Sequence, residues 1–203
     1  MVWDVLNVIG TIAFAISGAI TAMKVKYDII GIYILGLITA FGGGAIRNLL
    51  TGIPISQLWQ QTTLFIIALI TITIVFLLPD DAVHRLNEWN LFDAIGLSAF
   101  SVQGGLQAHM MNLPLLATMF SAAITGAGGG IIRDVLANQK PMVFRKDIYI
   151  FWGIIAGFII GMGWAEDSYL LYAIFVMILI LRVASHRFGW CLPARKINKL
   201  QGN

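Results

Sequence analysis

Charge is what this sequence has least of. Asp, Glu, Lys and Arg make up 11% of its 203 residues, against about 25% in soluble chains, which excludes a soluble domain of useful size. A single cysteine, Cys191, excludes an internal disulfide. Three histidines, His84, His109 and His186, stand in different loops without any Cys/His spacing, so neither a metal site nor a cofactor is expected. There is no nucleophile–base pair, phosphate-binding loop or paired-carboxylate site, and an enzyme is therefore not expected. The net charge of +3 comes from lysines and arginines in short connections, which is how membrane proteins set their orientation. It does not point to nucleic acid, and no soluble partner is expected beside membrane lipid.

Apolar sequence fills the space that charge leaves. Hydrophobic residues reach 59% and the mean hydropathy is +0.85. The apolar runs, at about 16–23 residues each, suffice to cross a hydrocarbon core of roughly 30 Å. The expected fold is an all-α polytopic membrane protein with seven transmembrane helices, over about 4–23, 28–50, 60–78, 91–109, 114–137, 147–163 and 168–183. The first run begins close to Met1, with Asp4 and no basic residue ahead of it, and reads as a span rather than a signal peptide. Trp3, Trp59, Trp89, Trp164 and Trp190 fall at span ends and Trp152 in the first turns of the sixth, the placing of an interfacial belt. Lys24, Lys26, Arg85, Lys140, Arg145, Lys146, Arg182, Arg187, Arg195, Lys196 and Lys199 share one side if there are seven spans. Asp4, Glu166 and Asp167 take the other. The positive-inside rule then sets the C-terminus in the cytoplasm and the N-terminus outside.

The chain also repeats itself. A shift of 86 residues lays 7–50 on 93–136 without a gap. Gly10/Gly96, Phe14/Phe100, Gly18/Gly104, Thr39/Thr125, Arg47/Arg133 and Leu50/Leu136 are identical pairs, as are the triplets Gly42-Gly43-Gly44 and Gly128-Gly129-Gly130. Each unit holds three spans, an odd number, so the second enters the membrane inverted. The organisation expected is residues 1–90 as a first three-helix repeat and 91–167 as its inverted copy. Residues 168–203 add a seventh helix and a basic tail. Inverted repeats place their pathway between corresponding helices near the midplane.

The glycine triplets are costly, at roughly 1 kcal/mol per glycine relative to alanine in a helix interior. An arginine three residues after each triplet, within apolar sequence, costs about 2.5–3.5 kcal/mol more at a bilayer centre. A break or kink at the glycines would free carbonyls to line a water-filled path, with the Thr39 and Thr125 hydroxyls one turn earlier on the same side. The alternative is that the glycines allow close helix packing. Arg47 and Arg133 are candidates for pore or gating charges, with Asn48 and Asp134 beside them, or for structural ion pairs. Asp4 is then the candidate partner of Arg47, and Asp93 or Asp134 that of Arg133. Ser17 and Gln103 share a repeat position and could face the pathway. Gly153, Gly157 and Gly161 lie on one helix face suited to contact within or between protomers.

Seven spans, two inverted units and a paired Gly-Gly-Gly-x-x-Arg-Asn/Asp motif resemble the trimeric intracellular cation (TRIC) channel family, most closely its prokaryotic members. These are often filed as uncharacterised membrane proteins or under a glycine-transporter domain name. The likeness covers about residues 4–183. It implies a homotrimer in the prokaryotic inner membrane, with a pore in each protomer lined by the second and fifth spans and conducting potassium. Residues 37–41 carry no lysine, a departure from the basic motif of animal members. The alternative function is a secondary transporter of a small zwitterion such as glycine, with an arginine meeting its carboxylate.

Overall fold

Helix ends in this chain are written by a few polar and special residues. Asp28 accepts a hydrogen bond from the Gly31 amide at 2.8 Å and caps the helix that follows. Gly52 closes the same helix in the left-handed conformation that a side chain resists (φ 72°). Pro114 stands immediately before another helix start, where its missing N–H is not needed. The computed structural model describes residues 2–87, 90–144, 148–165 and 167–193. The expectations attached to Trp89, Arg145, Lys146, Glu166, Arg195, Lys196 and Lys199 lie outside the described residues.

Among the described residues the regular structure is helical. The α-helices are Val2–Lys24 (α1), Ile29–Thr51 (α2), Thr62–Leu77 (α3), Asp80–Asn87 (α4), Leu91–Met110 (α5), Leu115–Leu136 (α6), Ile150–Gly161 (α7) and Ser168–Arg187 (α8). Each of the seven expected stretches contains a helix. The addition is α4, a short polar helix where a plain loop was expected. Its signal was readable, with Pro79 ahead of acidic Asp80 and Asp81, and His84 and Arg85 in the last turn. By length and composition α1, α2, α6 and α8 can each cross a membrane. The apolar α3 and α7 are shorter, α7 reaching about 18 Å at 1.5 Å per residue. The protein is a multi-pass membrane protein, inside out by soluble standards. Ile34, Ile66, Ile70, Leu116, Phe120 and Ile180 are exposed, whereas Arg47, Asn48, Asp93, Gln103, Arg133, Asp134 and Arg182 are buried.

Packing follows the 86-residue shift. Helices α1, α2, α5 and α6 form the centre, α3 lies against α1 and α2, and α7 against α5 and α6. Phe14 of α1 and Phe100 of α5 meet at 5.4 Å between ring centroids. Gly10 faces the Phe100 ring and Gly96 the Phe14 ring. Among the described glycines, the closest approach of backbone to backbone is between α2 and α6. A Cβ on Gly43 would collide with the Thr125 carbonyl, and a Cβ on Gly129 with the Thr39 carbonyl. These two contacts exchange under the repeat.

Both helices run uninterrupted through their triplets. The break expected at Gly42–Gly44 and Gly128–Gly130 is therefore absent, and close packing is what the glycines provide. Their helical hydrogen bonds are kept because removing the side chains lets two backbones touch without unwinding either. Thr39 and Thr125 are buried at the same crossing. Each donates to the carbonyl four residues back, Leu35 and Ser121, at 2.6 Å, and packs its oxygen against Gly18 and Gly104 respectively. Gly153, Gly157 and Gly161 pack against α5 and α6 of the same protomer. Trp152 is buried, its Nε1 donating to Ser185 Oγ at 3.3 Å, rather than lying in an interfacial belt.

The three glycines of a triplet are not equivalent. Gly43→Ala drives a methyl into backbone, and overpacking of that kind costs about 1–3 kcal/mol. A Cβ on Gly44 meets nothing nearer than 3.7 Å, and there alanine gains up to about 1 kcal/mol of helix propensity. Thermal unfolding of the detergent-solubilised protein should show Gly43→Ala melting lower than the parent and Gly44→Ala unchanged or higher.

Candidate functional site

The α2–α6 crossing is flanked on each side by one arginine and its neighbours. Past the crossing along α6, Arg133 is 3% exposed. Its Nη1 donates to Asp93 Oδ1 at 2.7 Å and to Ser17 Oγ; Nη2 and Nε reach Asp134 Oδ1 at 2.7 and 2.9 Å. Asp134 Oδ2 in turn accepts the Met142 amide at 2.9 Å. Charge-assisted bonds to two carboxylates let a guanidinium stay ionised away from water. The partners expected for Arg133, Asp93 and Asp134, are thus both engaged.

Two further side chains complete this end. Beside Gly130, a built Cβ would meet Tyr149 Oη at 2.8 Å, Asp93 Oδ1 at 3.4 Å and Arg133 Nη2 at 3.7 Å. Arg182 lies over the Tyr149 ring at 4.6 Å and is 1% exposed. Arg182, expected among the basic residues of the C-terminal end, is a buried member of this cluster. Asp93 Oδ2, Tyr149 Oη and Arg182 Nη1 are buried and make no hydrogen bond to protein. The charges here, Arg133 and Arg182 against Asp93 and Asp134, balance.

Past the crossing along α2 lies the mirrored half-site, with different chemistry. Arg47 is 6% exposed. Its Nε and Nη2 donate to Asn48 Oδ1 at 3.2 and 3.0 Å, and its guanidinium sits 5.5 Å from the Trp3 ring centre. Gln103 donates to the Trp3 carbonyl at 2.9 Å. Asp4, the expected partner, stands exposed in the first turn of α1, while Arg47 rests on an amide and an aromatic face instead. The repeat explains why. The positions of Asp93 and Asp134 correspond to Asn7 and Asn48, so the second set of carboxylates is a set of amides here. Asn7, Arg47, Gln61 and Gln103 line a cavity of about 20 Å³. Ser17 and Gln103, paired in the repeat, thus sit at opposite half-sites.

Comparison with known proteins agrees with this doubled architecture. The family model described as "Glycine transporter" matches residues 4–80 and again 90–166, two segments that begin 86 residues apart. The UPF0126 membrane protein YvgT of Bacillus subtilis is 55% identical over 196 residues, 96% of this chain and 97% of the relative. The UPF0126 inner membrane protein YadS of Escherichia coli is 36% identical over 195 residues, 93% of each. Among solved structures, a prokaryotic TRIC channel is 34% identical, covering 95% of this chain and 99% of that one with a TM-score of 0.83. This chain belongs to the prokaryotic TRIC family. The TRIC orthologue from Rhodobacter sphaeroides is 28% identical with a TM-score of 0.78, over 93% of this chain and 98% of that one.

Within this TRIC-family fold, the site contains residues that sequence reasoning passed over. Asn7 and Gln61 are ordinary polar residues near helix starts, and Tyr149 reads as an interfacial aromatic. Asn7 could have been found, because the same shift that pairs Arg47 with Arg133 pairs Asn7 with Asp93. Tyr149 and Arg182 carry no such signal, since neither belongs to the matched segments 7–50 and 93–136.

The two arginines differ in what they leave behind. Arg133→Gln strands Asp93 and Asp134, and breaking a buried pair costs about 3–5 kcal/mol. Arg47→Gln leaves amides, at about 1–3 kcal/mol for an unpaired polar group. Tryptophan-monitored melting in detergent should rank Arg133→Gln well below Arg47→Gln; equal losses would contradict the asymmetry.

Proposed function

We propose that the protein is a monovalent-cation channel, with potassium as the permeant ion and one pathway per protomer between α2 and α6. The observation that carries this reading is the side-chain-free crossing at Gly43 and Gly129, flanked along the same two helices by the Arg47 and Arg133 half-sites. Held in backbone contact, the crossing is a closed constriction. A small separation of α2 from α6 opens it, because no side chain has to be moved out of the way. Carbonyl oxygens at the crossing, such as those of Thr39 and Thr125, keep a second lone pair beside their helical bonds and then replace part of the ion's hydration shell.

An inverted arrangement of the two three-helix units, with seven helices crossing, sets the Arg47 half-site towards the outer face and the Arg133 half-site towards the cytoplasm. The membrane is the prokaryotic plasma membrane, with lipid covering the exposed apolar faces. Likeness at 34% identity to structures described as TRIC cation channels supports a cation. The trimeric channel of Rhodobacter sphaeroides supports a homotrimer. The second reading, a glycine-type zwitterion transporter, draws on the buried Arg47 and on the family description.

Purified protein in liposomes distinguishes them. Under a potassium gradient, the channel gives ohmic single-channel steps reversing at the potassium potential, with no saturable uptake of labelled glycine. Saturable glycine uptake without conductance would overturn this reading in favour of the transporter.

A further inference from the structure

The mirrored half-sites show what the Arg47 end lacks. At the Arg133 end, two carboxylates from the chain, Asp93 and Asp134, neutralise the guanidinium. At the Arg47 end the same two repeat positions are Asn7 and Asn48, and among the described residues the hydrogen bonds of Arg47 go to Asn48 alone. Arg47 is buried beside a cavity, and its guanidinium, always ionised, keeps donors that Asn48 Oδ1 does not use.

We propose that the Arg47 half-site binds one small monovalent anion, halide- or formate-sized, in the cavity lined by Arg47, Asn7, Gln61 and Gln103. The anion supplies to Arg47 the single countercharge that the carboxylates at the other end supply to each of Arg133 and Arg182. Three features of the site fit it. The side-chain amides of Asn7 and Gln61, each able to donate two N–H bonds, line the cavity. Gln61, the residue before α3, lines the cavity, so the N-terminal end of α3 with its free amides lies beside it. Gly44, whose Cβ would stand 3.7 Å from Arg47 Nη2, keeps that approach clear. A volume of about 20 Å³ admits one small ion, since one water needs roughly 10–15 Å³ by the same measure.

Binding is read from stability, so the result does not depend on which solute crosses the membrane. Full-length protein in detergent is melted in sodium chloride, sodium formate and sodium gluconate at equal ionic strength. Chloride or formate should raise Tm saturably, by roughly 2–4 °C at about five times Kd, and gluconate, too large for the cavity, should not. An effect of chloride alone assigns the site to a halide, and an effect of formate alone to a carboxylate. Asn48→Asp brings a carboxylate to Arg47 from within the chain and should abolish the dependence. Asn7→Asp serves the same purpose if that variant does not fold. Equal Tm in all three salts, or a gain that persists in Arg47→Gln, would overturn the proposal.

Discussion

Two helices bring their backbones into contact only where neither offers a side chain, and the centre of this protein is built on that constraint. Gly43 lies against the Thr125 carbonyl and Gly129 against the Thr39 carbonyl, so α2 and α6 cross as closely as helices can. The crossing fixes where everything else stands. It brings Phe14 over Gly129 while Gly10 and Gly96 accommodate the Phe100 and Phe14 rings. It also holds Arg47 and Arg133 beyond the contact on either side, each near the third glycine of its own triplet. A soluble protein would spend such a position on a leucine pair. In an apolar solvent, where lipid tails compete equally for leucine, close backbone packing and hydrogen bonding carry the association instead.

The repeat is kept where geometry demands it and abandoned where charge does. Glycines, threonines and phenylalanines match across 86 residues because each makes the same contact twice. Asn7/Asp93 and Asn48/Asp134 do not match, although all four occupy corresponding places beside an arginine. One half-site is internally neutralised with help from Arg182, and the other holds a guanidinium among amides. Packing is thus pseudo-symmetric at the two ends of the α2–α6 crossing, and the electrostatics are not.

Several elements were legible before any coordinates. Apolar run lengths located seven of the eight α-helices among the described residues, and the Gly/Arg spacing located both half-sites. Asp93 and Asp134 were readable as partners of Arg133 because a buried guanidinium in apolar sequence calls for a carboxylate near its own depth. The reading went astray where a residue type has two physical uses. Three glycines permit either an unwound segment or a close crossing, and the pattern of one chain does not say whether a second helix fills the gap. Arg182, at the end of the seventh expected span, reads as part of the basic C-terminal end, yet α8 continues to Arg187 and buries it.

The sequence by itself determined the solvent, the helical class and the doubling, since these depend on composition and periodicity that no partner can alter. Tertiary structure alone decided that the triplets meet each other, that Thr39 and Thr125 bond back to their own helices, and that Tyr149 and Arg182 join the Arg133 cluster. The reason is that contacts between residues 43 and 125, or 149 and 182, depend on how helices are placed in space. Local spacing fixes which face of a helix a residue occupies, but only packing fixes what that face meets.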